Sequence, residues 1–362
     1  MSAPRARLSP YMNFAKLGTD ARFNLASSGV LNATFADLQP DWSRLELHGP
    51  NSYGYMPLRE RIGARFGIPA SSVVTAEGCS MANHLALAAL IDPGDEVVIE
   101  EPTYELITST LLYLGADLKR VQRRPENGWR LEPEAFAAAV GPKTKLVVLT
   151  NLHNPTSAYD DPAAIEQVIA AADRVGAKVL IDEVYLELTF GDGPPRTAYR
   201  AGGNVIVTSS LTKAYGVSGL RCGWVLASPD LAERMWRLVD LYYSVAPFVT
   251  DGLSLQAFDR LPSLRTRAKT LMDANRAAYR ELIGEHAALD GSLGEIGTTV
   301  FPRLRAGRGD DFCEMLKAKY DTGVVPGRYF ERPDHIRIGL AGEPGQTREA
   351  LARLAEALAA WT

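Results

Sequence analysis

Residues 57–227 alternate between amphipathic helical segments and short apolar segments, and this alternation constrains the fold more than any other feature of the chain. Such alternation is typical of a parallel sheet whose strands are connected by crossover helices. The short segments are apolar almost throughout, which indicates strands buried on both faces. The sequence therefore predicts an α/β fold with a mostly parallel sheet flanked by helices, and the predicted strands cover residues 73–75, 96–99, 146–149, 179–181, 205–207 and 224–226.

One crossover helix is clearly delimited in the sequence. Asp161 is a suitable N-cap, Pro162 suits the first turn, and Gly176 is expected to close the helix. The next predicted strand follows at once.

The pattern changes after residue 230. A long helical region, roughly residues 230–288, is expected to break near Pro247 and again at Leu261–Pro262. Strand-like "TTVFPRL", a helix around 309–319, the turn "VVPGRYF", the strand "HIRIGLA" and a last helix follow. This α+β unit predicts a second, smaller domain. The predicted division is an N-terminal segment packing with the small domain, a large domain and a small C-terminal domain, at residues 1–45, 46–250 and 251–362.

Composition excludes several classes of function. The net charge of -4 and the pI near 5.8 give no reason to expect a nucleic-acid surface, which favours a small-molecule partner. The three cysteines show no CxxC spacing and the five histidines no ligand spacing, so neither a disulfide framework nor a metal site is indicated. The chain shows no export segment and no run of about 18 apolar residues. These features predict a cytoplasmic protein that contacts no membrane.

Polar residues follow several of the predicted strands, at the edge where open α/β sheets bind ligands. Gly78, Cys79 and Ser80 follow the first predicted strand and open a helix, so their free amides can bind an anion such as phosphate. The alternative is a plain strand-to-helix turn with Ser80 as its cap. Cys79 is expected to be a small buried residue, or a thiol whose pKa the helix N-terminus lowers.

Two further strands end in polar residues. Asn154 follows "KLVVLT" and can either donate to a bound ring or form a turn ahead of Pro155. Asp182 and Tyr185 follow "KVLI", where a carboxylate is costly unless it meets a cation. That cation can belong to a structural ion pair or to a ligand.

The stretch "SSLTKAYGVSGLRCGW" places Lys213 between Ser210 and Arg221. A lysine there is either solvated or a nucleophile, and a hydroxyl with an arginine suits phosphate. Together with Asp182, these residues predict a phosphorylated ring cofactor whose nitrogen pairs with a carboxylate and whose carbonyl meets an amine. Pyridoxal 5'-phosphate meets these requirements.

The segment from Ser210 to Gly223 closely resembles the lysine signature of class I/II aminotransferases, which are fold-type-I pyridoxal-phosphate enzymes. The resemblance continues through "NLASSGV", "GYMPLRERI", "GCSMANHLAL", "EEPTYE", "NLHNPTS", "IDEVYLEL", "VVPGRYF" and "HIRIGLA". It implies a three-layer fold in which the large domain binds the cofactor, and a homodimer with the active site near the subunit interface.

The resemblance also implies roles for individual residues. Lys213 would hold the cofactor as an internal aldimine and then move the substrate proton, while Asp182 would pair with the ring nitrogen. Tyr185 and Asn154 would hydrogen-bond the phenolic oxygen of the ring, and Tyr104 would stack on its face. The phosphate would be held by the turn that begins at Gly78, and by four residues in particular: Cys79, Ser80, Ser210 and Arg221. The substrate would meet Gly29, Asn154 and Arg337, with Arg337 binding the α-carboxylate.

The sequence departs from the family pattern at three places. Cys79 falls where a small residue such as glycine or alanine is usual. Ser157 replaces the glycine of the usual Asn-Pro-Thr-Gly, which puts the turn after Asn154 in doubt. A tyrosine that reaches the phosphate of the partner subunit is expected before "GYMPLR", but His48 lies near that place, with Tyr53 close by. Either of them can serve, or the contact is absent.

The resemblance leaves the reaction open. The leading hypothesis is transfer of an amino group from an L-amino acid to a 2-oxo acid. The alternative is a lyase or cyclase on the same cofactor, since several segments also resemble enzymes of the capreomycidine synthase type. A second cation for a dicarboxylic substrate could come from Arg22 or Arg328. A ligand sensor is disfavoured because no basic N-terminal helices are present, and a dehydrogenase because no GxGxxG follows a strand.

Overall fold

A computed structural model of the protein describes residues 7–191, 196–284, 286–291 and 293–361. Its α-helices are α1 (Pro10–Leu17), α2 (Phe35–Leu38), α3 (Met56–Phe66), α4 (Gly78–Leu90), α5 (Glu105–Leu114), α6 (Pro133–Ala139), α7 (Pro162–Asp173), α8 (Thr212–Tyr215), α9 (Pro229–Tyr242), α10 (Phe248–Leu282), α11 (Gly309–Tyr320) and α12 (Pro344–Ala359). Short 3₁₀ turns cover Trp42–Arg44, Ala70–Ser72, Pro125–Asn127, Leu186–Thr189, Ser218–Leu220 and Gly327–Phe330.

The strands form one large sheet and several small ones. The large sheet has the order β2-β8-β7-β6-β5-β3-β4, and all its neighbours are parallel except β8, which runs antiparallel to β2 and β7. The strands are β1 (Phe23–Asn24), β2 (Val73–Glu77), β3 (Glu96–Glu101), β4 (Asp117–Gln122), β5 (Thr144–Thr150), β6 (Lys178–Asp182), β7 (Val205–Ser210), β8 (Cys222–Leu226), β9 (Leu289–Asp290), β10 (Thr299–Val300), β11 (Arg303–Leu304), β12 (Thr322–Gly323), β13 (Val325–Pro326) and β14 (Ile336–Gly339).

The large sheet is the middle of three layers. Along each strand, successive side chains enter opposite apolar cores, as the two-residue period of a strand requires. Val147 and Val179 face one core, with α3, α6, α7 and α10, whereas Leu146 and Leu180 face the other, with α4, α5 and α9. All four side chains are fully buried, which explains why the sequence of each strand is almost wholly apolar.

A third apolar core lies in the C-terminal part of the chain. It joins side chains from the end of α10, from α11 and α12, and from the strand β14, and it includes Phe23 and Leu25 of the N-terminal segment. The strand β1 pairs in parallel with β12, so the N-terminal segment contributes a short strand that its sequence pattern did not predict. The helix α10 contacts two cores. Its Leu264 belongs to the core that Val147 of the large sheet faces, whereas its Tyr279 belongs to this C-terminal core.

Several sequence predictions are confirmed and some are wrong. Each of the six predicted strands is present, and Asp161 caps α7 by accepting from the amide of Ala163 at 2.7 Å. The predicted break at Leu261–Pro262 is wrong, since α10 continues through Pro262, whose side chain is exposed. The antiparallel direction of β8 was not predicted, nor was β4, whose residues are mostly polar or half-exposed.

The sheet brings three chain segments to one edge. Thr150 and Asp182 are register partners at the carboxyl ends of β5 and β6, and Asp182 is also paired with Thr208 of β7. The loop between β7 and β8 is closed at its base by the pairing of Ser210 with Gly223. Polar side chains that are far apart in sequence therefore meet at this edge. Within the described ranges, none of the helices combines the length and the apolarity needed to cross a lipid bilayer.

Candidate active site

A cavity of about 190 Å³ lies at the carboxyl edge of the large sheet. Most of the residues predicted from the sequence line it: Cys79, Ser80, Tyr104, Asn154, Asp182, Tyr185, Ser210, Lys213 and Arg221. Gly29, Gly78 and Arg337 do not line it but contact residues that do. The sequence prediction therefore identified side chains that converge on one place, although they come from five separate segments.

Asp182 lines the cavity and is buried. Its carboxylate accepts from Asn83 Nδ2 at 2.7 Å, from the amide of Val184 at 3.0 Å and from the thiol of Cys79 at 3.3 Å. Burial raises the pKa of Asp182, and these hydrogen bonds and the charge of Lys213 oppose that rise. None of the three contacts is cationic, so this side chain is not part of a structural ion pair.

Lys213 approaches the cavity from the first turn of α8. Its Nζ donates to Ser28 Oγ at 3.1 Å, and the Tyr185 hydroxyl donates to the same oxygen at 2.8 Å. A side chain on Gly29 would begin 3.3 Å from Lys213 Cδ, which is tighter than ordinary contact. The N-terminal segment therefore packs directly against the lysine.

The part of the cavity lined by Arg221 and the first turn of α4 is suited to an anion. The guanidinium of Arg221 donates to the carbonyls of Glu77 and Ser218 at 3.1 and 3.5 Å. Gly78 has φ of 77°, and a Cβ at this position would lie 2.2 Å from Arg221 Nη2. Gly78 begins α4, so the amides of the first helical turn face no intrahelical acceptor. Ser210 is fully buried beside them.

Arg337 is fully buried on β14 next to the cavity. Its Nη1 donates to Asn154 Oδ1 at 3.0 Å, and its Nη2 donates to the Tyr11 hydroxyl at 2.8 Å and the Ala26 carbonyl at 3.0 Å. Burial raises the pKa of Tyr11, but the charges of Arg337 and Lys213 outweigh burial and lower it below its usual value. The helix α1 thereby closes over the cavity.

The turn after Asn154 adopts the backbone that the family's glycine would favour. Ser157 has φ of 62°, in the left-handed region. Its hydroxyl contacts Thr299 Oγ1 at 2.9 Å and accepts from the Thr299 amide at 3.1 Å. The serine therefore ties this turn to β10.

Other predicted residues lie elsewhere or behave differently. The pKa of Cys79 is raised well above its usual value by burial and by Asp182, so the prediction of a lowered pKa is wrong. Arg22 stacks on Phe23 and Arg328 pairs with Asp310, and neither lines the cavity.

The two candidates for a contact with a partner subunit also lie outside the cavity. His48 is exposed. Tyr53 is 37% exposed, and its hydroxyl contacts Arg237 and Asp240.

Five polar side chains of the cavity were missed by sequence reasoning: Tyr11, Ser28, Asn83, Thr150 and Thr212. Asn83 had a signal, because it follows Cys79 by four residues on the same face of one helix. Ser28 lies in the quoted segment "NLASSGV" beside Gly29. Tyr11 had none, since it meets Arg337 only through the tertiary fold.

The described residues fit pyridoxal 5'-phosphate. A buried carboxylate without a cationic contact, at Asp182, suits a protonated ring nitrogen. Within the described ranges, the guanidinium of Arg221 forms hydrogen bonds only to backbone carbonyls, and the buried hydroxyl oxygen of Thr212 has no hydrogen-bond partner. In the described part of the chain, no cluster of His, Cys, Asp and Glu could hold a metal ion.

Comparison with known proteins agrees with this geometry. The family model described as aminotransferase class I and II matches residues 39–354. Capreomycidine synthase of Streptomyces vinaceus is 32% identical, over 93% of this chain and 90% of the relative. Arginine–pyruvate transaminase AruH of Pseudomonas aeruginosa is 28% identical, over 85% and 81%. A crystal structure of a pyridoxal-phosphate-dependent aminotransferase from Streptococcus suis has a TM-score of 0.90 and 25% identity, covering 100% of this chain and 99% of that one. The protein is therefore a member of the class I and II aminotransferase family, with the fold-type-I architecture and pyridoxal phosphate as its cofactor.

Proposed function

We propose that the protein is an aminotransferase that moves the amino group of an L-amino acid to a 2-oxo acid. The observation that supports this function best is the meeting of the Lys213 amine, the Asp182 carboxylate and the Arg221 guanidinium in one cavity. Bound pyridoxal phosphate supplies a sink for the electron pair left when a bond at the substrate α-carbon breaks.

Each charged residue has one proposed task in this reaction. Lys213 would bind the cofactor and, when its amine is free, would take the proton from the substrate α-carbon and deliver it to C4′ of the cofactor. Asp182 holds a negative charge beside the ring nitrogen, kept in place by Asn83. Arg221, Ser210 and the first turn of α4 hold the phosphate. Tyr104 stacks on the ring.

The proposed substrate carries one carboxylate. Arg337 and Asn154, which are joined by a hydrogen bond of 3.0 Å, bind the α-carboxylate beside Gly29. Among the described residues, the cationic side chains that line the cavity are Lys213 and Arg221, and both have other tasks. This distribution supports a substrate whose side chain is neutral or cationic rather than acidic.

A lyase or cyclase acting on an amino acid is the second candidate. The 32% identity to capreomycidine synthase, against 28% to arginine–pyruvate transaminase, favours it. Both reactions begin with proton removal at the α-carbon, so the same lysine serves either one. They differ in which bond breaks next.

We propose a homodimer in the cytoplasm as the working form. Large apolar side chains of the N-terminal part are exposed, and they include Phe35 at 59%, Trp42 at 58% and Leu47 at 85%. Exposed apolar groups on one segment favour a protein contact.

The proposed domain division is an N-terminal segment, a large domain and a small C-terminal domain, at residues 1–45, 46–250 and 251–362.

The test starts from the cofactor-loaded protein with arginine as donor and pyruvate as acceptor, because a relative is named for this pair. A panel of neutral amino acids follows. Alanine that forms in step with the 2-oxo acid of the donor, followed by mass spectrometry, supports transamination. Loss of water or ammonia from the donor without alanine overturns transamination in favour of the second candidate.

A lysine variant tests whether the chemistry occurs at this site. Lys213→Ala should reduce either reaction by at least about 10³-fold. The exposed Lys145 provides the matched control, and Lys145→Ala should retain full activity. A Lys213→Ala protein that turned over at the normal rate would remove the basis of both candidates.

A further inference from the structure

Ser28 presents a hydroxyl to the functional centre of the cavity, and no role is assigned to it by the family's lysine signature. The residue is 5% exposed and lines the cavity. Its Oγ is the one oxygen that contacts both the Lys213 amine, at 3.1 Å, and the Tyr185 hydroxyl, at 2.8 Å, among the hydrogen bonds of the described residues. Ser28 thus links the N-terminal segment to the two residues expected to act on substrate and cofactor.

The number of hydrogen bonds that the Ser28 hydroxyl can form explains why its contact with Lys213 matters. A serine hydroxyl has two acceptor sites and one donor. In Ser28 both acceptor sites are occupied, by Lys213 and by Tyr185, and no described residue accepts its O–H. The hydroxyl can therefore hold the amine while its own hydrogen remains free for a group bound in the cavity.

The position of Ser28 relative to Lys213 is fixed by backbone contacts on both sides. The Ser28 carbonyl accepts from Thr298 Oγ1 at 2.7 Å, and the amide of Val30 donates to the Lys213 carbonyl at 2.9 Å. A Cβ on Gly29, between them, would lie 3.3 Å from Lys213 Cδ, which is tighter than ordinary contact. A long lysine side chain is otherwise free to adopt many rotamers, and holding it in one of them costs entropy.

We propose that Ser28 is a positioning residue for the free amine of Lys213. The Lys213 amine donates to Ser28 Oγ at 3.1 Å, and in the proposed reaction this amine is free whenever it carries a proton to or from the substrate. Ser28 keeps the amine at the edge of the cavity in that state, so that proton transfer does not wait for the side chain to return from other rotamers. This inference rests on the proposed proton-transfer task of Lys213, and it applies equally to transamination and to the second candidate.

The test compares Ser28→Ala with Ser27→Ala in the cofactor-loaded protein. Ser27 is the exposed neighbour whose hydroxyl, among the described residues, forms hydrogen bonds only with Gly29 at 3.4 Å, so its removal is the matched control. In Ser28→Ala we expect kcat to fall about 10- to 100-fold, the loss of one hydrogen bond to a charged group. KM should change less than about threefold, and the isotope effect on an α-deuterated substrate should rise because proton transfer becomes slower. Ser28→Thr, which keeps the hydroxyl, should restore most of the rate.

A second readout uses the unloaded protein and requires no turnover. The rate at which Lys213 captures added pyridoxal phosphate, followed by absorbance, should fall about tenfold in Ser28→Ala and stay unchanged in Ser27→Ala. Circular dichroism monitors folding, and Ser28→Cys replaces the alanine variant with the same expectation if that variant does not fold.

The two hypotheses fail in different ways. A Ser28→Ala protein whose kcat, isotope effect and capture rate all stay within twofold of the unmodified protein overturns the role of Ser28. A Lys213→Ala protein that still exchanges the substrate α-proton with solvent overturns the proposed function instead.

Discussion

Asn83 fixes the carboxylate of Asp182 through a hydrogen bond and is itself held by a third residue. Its Nδ2 donates to Asp182 Oδ2 at 2.7 Å, while its Oδ1 accepts from Thr208 Oγ1 at 2.5 Å. Since a carboxylate only accepts hydrogen bonds, the amide nitrogen must face Asp182, which leaves the amide oxygen to accept from the Thr208 hydroxyl. Asn83, which lies on α4, thereby stabilises the charged form of Asp182, although burial disfavours that form.

Replacement of Asn83 should weaken cofactor binding. Asn83→Ala removes one hydrogen bond to a buried carboxylate, and we expect the affinity for pyridoxal phosphate to fall about tenfold, measured by absorbance titration. Asn204→Ala is the control, because Asn204 also uses its amide nitrogen as a donor, to the Ala177 carbonyl at 3.1 Å, but lies away from the cavity. Equal affinities of the two variants would contradict the assigned support of Asp182.

Gly78→Ala should disturb the phosphate end of the cavity. The added Cβ would lie 2.2 Å from Arg221 Nη2, so the guanidinium must move. Gly94→Ala is matched for backbone strain, since Gly94 has φ of 93° and nothing lies within 4 Å of its Cβ position. Both variants should lose about 1 kcal/mol of unfolding free energy from strain, but only Gly78→Ala should lose affinity for pyridoxal phosphate and for free phosphate. Equal ligand affinities would show that Arg221 does not bind the phosphate.

Ser157 offers a test of the turn that departs from the family pattern. Ser157→Ala loses the two contacts with Thr299 and keeps the left-handed backbone, so we expect it to be destabilised by about 1–2 kcal/mol. Ser157→Gly loses the same contacts but is relieved of about 1 kcal/mol of backbone cost. Urea unfolding should therefore rank the glycine variant between the alanine variant and the unmodified protein. An alanine variant as stable as the unmodified protein would mean that the Thr299 contacts contribute nothing.

The raised pKa of Glu183 predicts that the free energy of unfolding depends on pH. Burial raises its pKa to about 7 from an ordinary value of 4.5, and the hydrogen bond from the Ala198 amide only partly opposes the rise. Between these values the native state keeps a proton that the unfolded chain has released. The free energy of unfolding should therefore fall as pH rises from about 4.5 to about 7, by on the order of 3 kcal/mol.

Glu183→Gln should remove the contribution of Glu183 to this slope while keeping the contact with Ala198. The comparison is made by denaturant unfolding of both proteins at several pH values. Asp251, whose pKa burial raises to about 6, contributes in the same direction and is present in both, so the slope should shrink rather than vanish. Parallel curves for the two proteins would contradict the raised pKa of Glu183.

The large sheet and the side chains at its carboxyl edge were predictable because both follow from short, local sequence patterns. Apolar runs such as residues 146–149 identify buried strands, and the polar residue after each run must lie at the edge. Tyr11 and Ser28 were not predictable in this way, since they reach the cavity through contacts with residues more than a hundred positions away. The continuation of α10 through Pro262 was also hidden, because an exposed proline in a long helix is tolerated when packing on both sides holds the helix.

The loop between β7 and β8 is closed at its base by strand pairing, so residues inside the loop can determine the reaction while the paired strands maintain the stability of the fold. Ser210 and Gly223 are paired across two strands, and the amide of Leu211 donates to the Cys222 carbonyl at 3.0 Å, so the sheet anchors both ends of the loop. Lys213 and Arg221 lie inside that anchored loop. Substitutions between residues 212 and 220 can therefore change the position of the Lys213 amine without disrupting the pairing of β7 with β8. Relatives that share this scaffold are thus free to diverge in the bond they break while inheriting the same sheet.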